Sequence, residues 1–153
     1  MIEVHYRREV AYPAARVLSQ YFDFEHLEHV HPKSFGRARM LSQHRNTILW
    51  ELEWPPILGV SSFRSAFCQE YVPPLEIRSV IVKGLLQGTE STVRLTDNGQ
   101  GTLIEEWHRI ALPGWAWLRR LIGKSWVRRL DRIWEEDLSV GVCHGGWPGV
   151  PRD

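Results

Sequence analysis

Apolar and polar residues alternate along much of this chain, which is the pattern of strands that bury one face. Apolar side chains at Ile2, Val4, Tyr6 and Val10 predict an opening strand. The same pattern continues to residue 112 and predicts strands over residues 38–44, 47–54, 61–72, 76–83, 89–96 and 102–112. Proline pairs and a glycine-rich segment separate them, and the short connections favour an antiparallel meander.

Two other stretches have helical spacing. After Pro13, residues 14–21 place Val17 and Leu18 on one side, and a further helical turn is expected to end at Pro32. Residues 115–140 repeat apolar side chains at every third or fourth position, which predicts an amphipathic helix of about seven turns. The sequence therefore predicts an α+β fold that ends in a long helix.

Composition narrows the class of protein. The 153 residues, 43% of them hydrophobic, suit a single domain over residues 1–153 with an irregular tail at 141–153. A net charge of +1 offers no electrostatic footprint for nucleic acid. No apolar run approaches the roughly 20 residues of a membrane span, and no signal-peptide pattern follows Met1, so a cytoplasmic protein is expected. Cys68 and Cys143 are interpreted as free thiols.

Residues 21–31 contain the most specific motif of the chain. Asp23, His26 and His31 have the spacing Asp-x2-His-x4-His. Neutral imidazole is a common ligand for zinc and iron, and two histidines with one carboxylate form the facial site of non-haem Fe(II) oxygenases. The motif therefore indicates a two-histidine metal site whose third ligand lies elsewhere, although a histidine-rich turn can also arise by chance.

The order of elements, a strand, two short helices, six strands and a long helix, resembles the helix-grip fold of the START/SRPBCC superfamily. In that fold a curved antiparallel sheet, here of about seven strands, wraps around the C-terminal helix and leaves a deep cavity. Within the superfamily, the Asp-x2-His-x4-His motif is similar to that of the catalytic, mononuclear-iron domain of Rieske ring-hydroxylating oxygenases.

This resemblance implies that His26 and His31 are the imidazole ligands and that Asp23 is a catalytic-site acid that orients one of them. The family takes its carboxylate ligand from the C-terminal helix. There, Asp137 falls on the apolar stripe, and it is the predicted third ligand, with Glu136 as the alternative.

Two other histidines are given no ligand role. His29 faces elsewhere on a helix and is expected at the surface or as a hydrogen-bond partner. His144 in the tail is expected to be solvated unless it serves as an extra ligand.

The implied cofactor is Fe(II), and Zn(II) suits the same residue types. Rieske oxygenases also carry a [2Fe–2S] cluster held by two cysteines and two histidines, and this sequence contains no such constellation. An oxygenase built on this chain would therefore need an electron-transfer partner or electrons from its substrate.

Eight tryptophans imply a large aromatic interior, which is either core packing or the lining of a cavity for a small apolar or aromatic ligand. His108 and Glu105 lie on a predicted strand that could face this cavity and move protons, although a solvated strand face is the simpler interpretation. The candidate ligand-binding residues are Trp50, Phe67, Trp107 and Trp134.

Three functions follow from these patterns. The first is a metal-dependent enzyme with oxygenase- or hydrolase-like chemistry on a small hydrophobic molecule. The second is a non-catalytic carrier of a hydrophobic ligand or lipid. A metal-free polyketide cyclase- or dehydratase-like protein is intermediate between these two, because it would use acids and bases of the cavity without a metal. The third is docking of a lipid carrier on an anionic membrane through the basic and aromatic residues of the long helix, although most charged helix faces are merely solvated. The basic residues are Arg119, Arg120, Lys124, Arg128, Arg129 and Arg132, and the aromatic ones are Trp115, Trp117 and Trp126.

Overall fold

The computed structural model of the chain describes residues 1–31, 34–54, 63–84, 86–111 and 116–139, with the side chains of residues 25, 28 and 116–122 excepted. Three helices and seven strands lie in this part of the chain. They are β1 (Ile2–Val10), α1 (Ala14–Gln20), α2 (Phe24–Val30), β2 (Ala38–His44), β3 (Thr47–Glu53), β4 (Arg64–Val72), β5 (Glu76–Gly84), β6 (Glu90–Asp97), β7 (Thr102–Ile110) and α3 (Ala116–Ser139).

The seven strands form one antiparallel sheet in the order β1-β7-β6-β5-β4-β3-β2. Strands β2 to β7 form a meander, and β1 joins its far edge, where Ile2 lies opposite Ile110 and Val10 opposite Thr102. Alternation fixes which face is buried, because successive side chains of a strand point to opposite sides of the sheet. In β3, Ile48, Trp50 and Leu52 are buried, while the residues between them are only partly buried.

The sequence predicted the antiparallel sheet and the long C-terminal helix, and both are confirmed. The strand predicted over residues 38–44 is found with those bounds, and the ends of the other predicted strands differ by at most three residues. Residues 61, 62, 112, 115 and 140 of the predicted elements lie outside the described residues. Tyr21, predicted in the first helix, lies in the turn before α2, where its N–H donates to the oxygen of Leu18 at 3.2 Å. The predicted tail and Cys143 also lie outside the described residues, and Cys68 is a free thiol.

The core lies on the face of the sheet that meets the helices. Every second residue of β7 is buried there, from Thr102 to Ile110, and α3 contributes Trp134 to the same core. Two of the buried β7 residues, Glu106 and His108, are polar. Buried polar side chains are expensive unless they are hydrogen-bonded, so their position points to a built polar site inside the core.

Gly84 ends β5 with a backbone that requires glycine. Its φ is +94°, and a Cβ there would overlap the carbonyl oxygen of Arg64. Replacement by alanine is expected to lower the free energy of unfolding by about 2–3 kcal/mol, because strain and overlap act together. Gly99→Ala is the matched control, since Gly99 has a φ of +78° but no atom within 4 Å of the added Cβ. It should lower the free energy by only about 1 kcal/mol, and equal losses in urea unfolding would rule out the overlap.

Candidate metal centre

The three residues of the histidine motif lie at the ends of α2. Asp23 is the N-cap residue, and its carboxylate accepts a hydrogen bond from the backbone N–H of His26 at 3.3 Å. This bond satisfies one of the N–H groups that a helix leaves open at its start. His31 follows directly after the helix, and its backbone N–H donates to the oxygen of Leu27 at 3.2 Å. Both histidines are thus fixed by the local structure of one short helix.

Helix α3 brings Asp137 to these two rings. Its Oδ1 lies 2.8 Å from Nε2 of His31 and 3.4 Å from Nε2 of His26. One ligand atom from each of the three residues lies within 4.8 Å of the other two. His31 and Asp137 are 0% and 3% exposed, and His26 is partly buried. The fold therefore places two imidazoles and one carboxylate around a common point.

Contacts at the outer ring nitrogens determine how both rings point. Nδ1 of His26 lies 2.6 Å from the backbone oxygen of Asp23, and Nδ1 of His31 lies 2.7 Å from Oε2 of Glu136. A carbonyl or carboxylate oxygen only accepts, so each Nδ1 donates its proton there and Nε2 of each ring is left facing Asp137. Metal-binding histidines are commonly oriented by such a second hydrogen bond.

Two of the converging atoms are buried without a hydrogen bond. Nε2 of His31 and Oδ1 of Asp137 lie 2.8 Å apart, and neither atom has a hydrogen-bond partner among the described residues. Buried polar groups in proteins are nearly always satisfied. A divalent ion would satisfy both atoms and Nε2 of His26 as well, so the residues fit Fe(II) or Zn(II), which take imidazole and carboxylate ligands.

The charges of the site shift two pKa values in opposite directions. Burial lowers the pKa of His31, but its contacts with Asp137 and Glu136 outweigh burial, so the pKa is raised. Burial raises the pKa of Asp137, but its contacts with His26 and His31 outweigh burial, so the pKa is lowered. Asp137 is therefore ionised at neutral pH, as a metal ligand must be.

Two of the acids differ from their predicted roles. The carboxylate of Asp23 does not orient a histidine ring, because it caps α2, and the backbone oxygen of the same residue orients His26 instead. Glu136, the alternative third ligand, lies on the Nδ1 side of His31, away from the converging atoms. His29 is exposed, and His144 lies outside the described residues.

An apolar cavity lies beside the three-residue cluster, and His26 and Asp137 form part of its wall. This first chamber has a volume of about 170 Å³. Most of the wall is aromatic or aliphatic, as in sites for small apolar ligands. The lining residues are Gln20, Tyr21, Phe24, His26, Leu27, Phe35, Trp50, Gln69, Glu106, Leu130, Ile133, Trp134 and Asp137.

A second chamber of about 150 Å³ adjoins the first. Phe35, Trp50, Leu130 and Ile133 line both chambers. Of the four predicted ligand-binding residues, three line a chamber: Trp134 the first, Phe67 the second and Trp50 both. The other residues of the second chamber are Leu52, Trp54, Phe67, Ser79, Ile81, Thr89, Ser91, His108, Trp126 and Arg129.

Two of the predicted site residues on strand β7 do not face a cavity. Trp107 and Glu105 lie on the face of the sheet opposite the cavities, because the strand buries its even-numbered positions. The Trp107 ring stacks on His5 with centroids 5.0 Å apart, and Oε1 of Glu105 lies 4.0 Å from Nε2 of His5. His108 lines the second chamber, so its strand face is not solvated, and the acid that accompanies it is Glu106. Its proposed role in moving protons stays a prediction.

Glu106 is the centre of a buried polar network that the sequence analysis missed. Its Oε1 accepts hydrogen bonds from the hydroxyl of Tyr21 at 2.9 Å and from the indole of Trp134 at 3.3 Å. Its Oε2 lies 3.0 Å from Nε2 of His108, whose Nδ1 lies 2.8 Å from the hydroxyl of Ser91. Burial and the Glu106 carboxylate raise the pKa of Tyr21 well above its usual value. The network thus connects the two chambers.

The basic face of α3 is smaller than the sequence indicates. Arg129 turns inward, and its guanidinium lies over the rings of Phe35 and Trp54. None of the described helices is long and apolar enough to cross a membrane. The exposed basic side chains in the described part of α3 are Lys124, Arg128 and Arg132.

No protein-family model matches this chain, and no curated protein is significantly similar to it in sequence. Solved structures do match. A START superfamily protein from Mycobacterium smegmatis is 18% identical with a TM-score of 0.74, over 93% of this chain and 100% of that one. A protein from Thermus thermophilus is 18% identical with a TM-score of 0.70, over 90% and 98%. An aromatase/cyclase from a Streptomyces species is 12% identical with a TM-score of 0.61, over 90% and 88%.

These similarities show the fold of the chain, which is that of START superfamily proteins and of an aromatase/cyclase. The likeness to the catalytic domain of Rieske oxygenases stays a prediction, which depends on the histidine motif.

Proposed function

We propose that this protein binds a small apolar or aromatic molecule in the first chamber, beside a divalent metal ion held by His26, His31 and Asp137. One observation carries the proposal: one ligand atom from each of His26, His31 and Asp137 lies within 4.8 Å of the other two, beside an apolar cavity. The START fold supports it, because the cavity lies among α2, α3 and the sheet.

Each part of the site has a separate task. The two imidazoles and the carboxylate hold Fe(II) or Zn(II), while the backbone oxygen of Asp23 and the carboxylate of Glu136 keep the rings in place. When bound with only three protein ligands, such an ion supplies Lewis-acid chemistry, and Fe(II) also supplies oxygen chemistry. The aromatic wall of the chamber holds the apolar molecule and keeps water away from it.

The identity of the ion decides between the two kinds of chemistry. An oxygenase would take its electrons from a partner protein or from the substrate. A zinc-dependent, hydrolase-like protein would need no electrons at all.

The test is metal analysis of protein that has been purified without an affinity tag or a chelator. Metal-free protein is then titrated with Zn(II) and, in the absence of oxygen, with Fe(II). We expect one ion for each chain, and we expect His26→Ala to weaken binding by more than about 100-fold, because it removes a direct ligand.

His29→Ala is the matched control, because it removes the same residue type from an exposed position of the same helix. It should bind the ion as tightly as the native chain. The proposed metal centre would be contradicted if the native chain took up no ion. It would also be contradicted if His26→Ala and His29→Ala lost the same amount of affinity for the ion.

A metal-free acid–base function is the second candidate, and the network around Glu106 favours it. Tyr21 and Glu106 line the first chamber, and His108 lines the second, so proton donors and acceptors reach a ligand without any ion. One of the structural neighbours is an aromatase/cyclase. The metal-free acid–base function predicts that Asp137→Ala leaves turnover unchanged, whereas the metal centre predicts the loss of turnover. A simple carrier has no turnover in either form of the chain.

A further inference from the structure

The second chamber contains hydrogen-bond donors that lack acceptors. Trp50 and Trp126 both line it. The indole nitrogen of each is buried and has no hydrogen-bond partner among the described residues. An indole N–H only donates, and a buried donor without an acceptor is unfavourable. The chamber is therefore suited to a ligand that carries acceptor oxygens.

Arg129 adds a positive charge to the same wall. Its guanidinium carbon lies 4.7 Å from the ring centroid of Trp54 and 5.1 Å from that of Phe35. One of its N–H groups donates to the backbone oxygen of Ser34. Burial and the charge of Arg132 lower the pKa of Arg129 to about 10, so it remains a cation at neutral pH.

No carboxylate among the described side chains pairs with this cation. A buried charge without a counter-charge is unfavourable. A guanidinium has five N–H donors in one plane, and the bond to Ser34 uses one of them. The aromatic rings contact the faces of the group, which leaves the remaining edge for the two oxygens of a carboxylate.

We infer that the second chamber binds the carboxylate group of the ligand, with Arg129 as its ion-pair partner and the indoles of Trp50 and Trp126 as further donors. The inference rests on the proposed function and narrows the ligand to aromatic or aliphatic carboxylic acids. Because Trp50 and Phe35 line both chambers, the apolar part of the acid extends into the first chamber, toward Asp137.

The test compares acids with their methyl esters, which keep the shape of the acid but lose its charge. Isothermal titration calorimetry of the metal-free protein would use 2-naphthoate and decanoate as acids. Each acid that binds is expected to do so about ten- to a hundred-fold more tightly than its ester, the range for a charged hydrogen-bonded pair. The metal-free protein is used so that binding of the carboxylate to an ion does not contribute.

Arg129→Met should reduce the affinity for the acid to that for the ester and leave the ester unchanged, since methionine keeps an apolar stem over the aromatic rings. Arg128→Met, an exposed neighbour on the same helix, is the control and should keep the preference for the acid. If Arg129→Met does not fold, the comparison of acid with ester in the native chain decides alone.

Equal affinity of the native chain for acid and ester would overturn the inference while leaving the proposed function intact. A preference for the acid that survives in folded Arg129→Met would overturn it as well. If neither acids nor esters bind, the proposed binding of an apolar ligand fails, and the inference fails with it.

Discussion

Zinc is expected to raise the free energy of unfolding of the native chain by about 4 kcal/mol when its free concentration is a thousand times the Kd. For a domain of this size the melting temperature would rise by about 8–16 °C. The physical reason is that the ion binds His26, His31 and Asp137 only in the folded state, where α2 and α3 bring them together. Differential scanning calorimetry with and without zinc measures the shift.

Asp137→Asn should remove most of this shift, because it keeps the shape of the side chain but removes the charged ligand. Asp131→Asn makes the same change on the same helix, at a residue whose Oδ1 accepts a hydrogen bond from Tyr6 at 2.9 Å. It should keep the zinc shift even if its starting stability is lower. A shift of native size in Asp137→Asn would mean that zinc binds elsewhere on the chain.

Glu106→Leu is expected to lower the free energy of unfolding by about 3–5 kcal/mol, because three buried donors lose their acceptor at once. These donors are the hydroxyl of Tyr21, the indole of Trp134 and Nε2 of His108. Leucine replaces the volume of the side chain but none of its oxygens. Urea unfolding at pH 7 measures the loss.

Glu106→Gln is the control for this prediction. Glutamine keeps an oxygen for Tyr21 and Trp134, and its amide can donate to His108 once the ring proton has moved to Nδ1. The expected loss is about 1 kcal/mol. Equal losses for leucine and glutamine would show that the volume of the side chain matters at this position and that its hydrogen bonds do not.

Much of the fold could be predicted because alternation is a local property of the chain. The face that each strand buries was harder to predict, and β7 shows why. Residues 105–108 are Glu, Glu, Trp and His, so hydropathy favours Trp107 as the inward residue. The phase is set instead by Ile104 and Ile110, which are both 0% exposed, and a slip of one residue exchanges the two faces.

In the candidate site, too, features that depend on local spacing could be predicted, and contacts between distant parts of the chain could not. The spacing of His26 and His31 and the helical phase of Asp137 are local, and the structure brings these three side chains together. The bond between Tyr21 and Glu106 joins residues 85 positions apart, which no period in the sequence encodes. Arg129 looked like part of a solvated helix face, because its aromatic neighbours come from a distant part of the chain.

The ligands of the proposed metal centre lie far apart in the sequence, since His26 and His31 precede strands β2 to β7 and Asp137 lies near the end of α3. During synthesis the two histidines leave the ribosome early, and Asp137 follows only after the whole sheet has been made. A nascent chain therefore offers an ion two imidazoles and no carboxylate from α3. Loading of the proposed metal would then be a step of maturation, after translation has passed α3 and this helix has docked against α2.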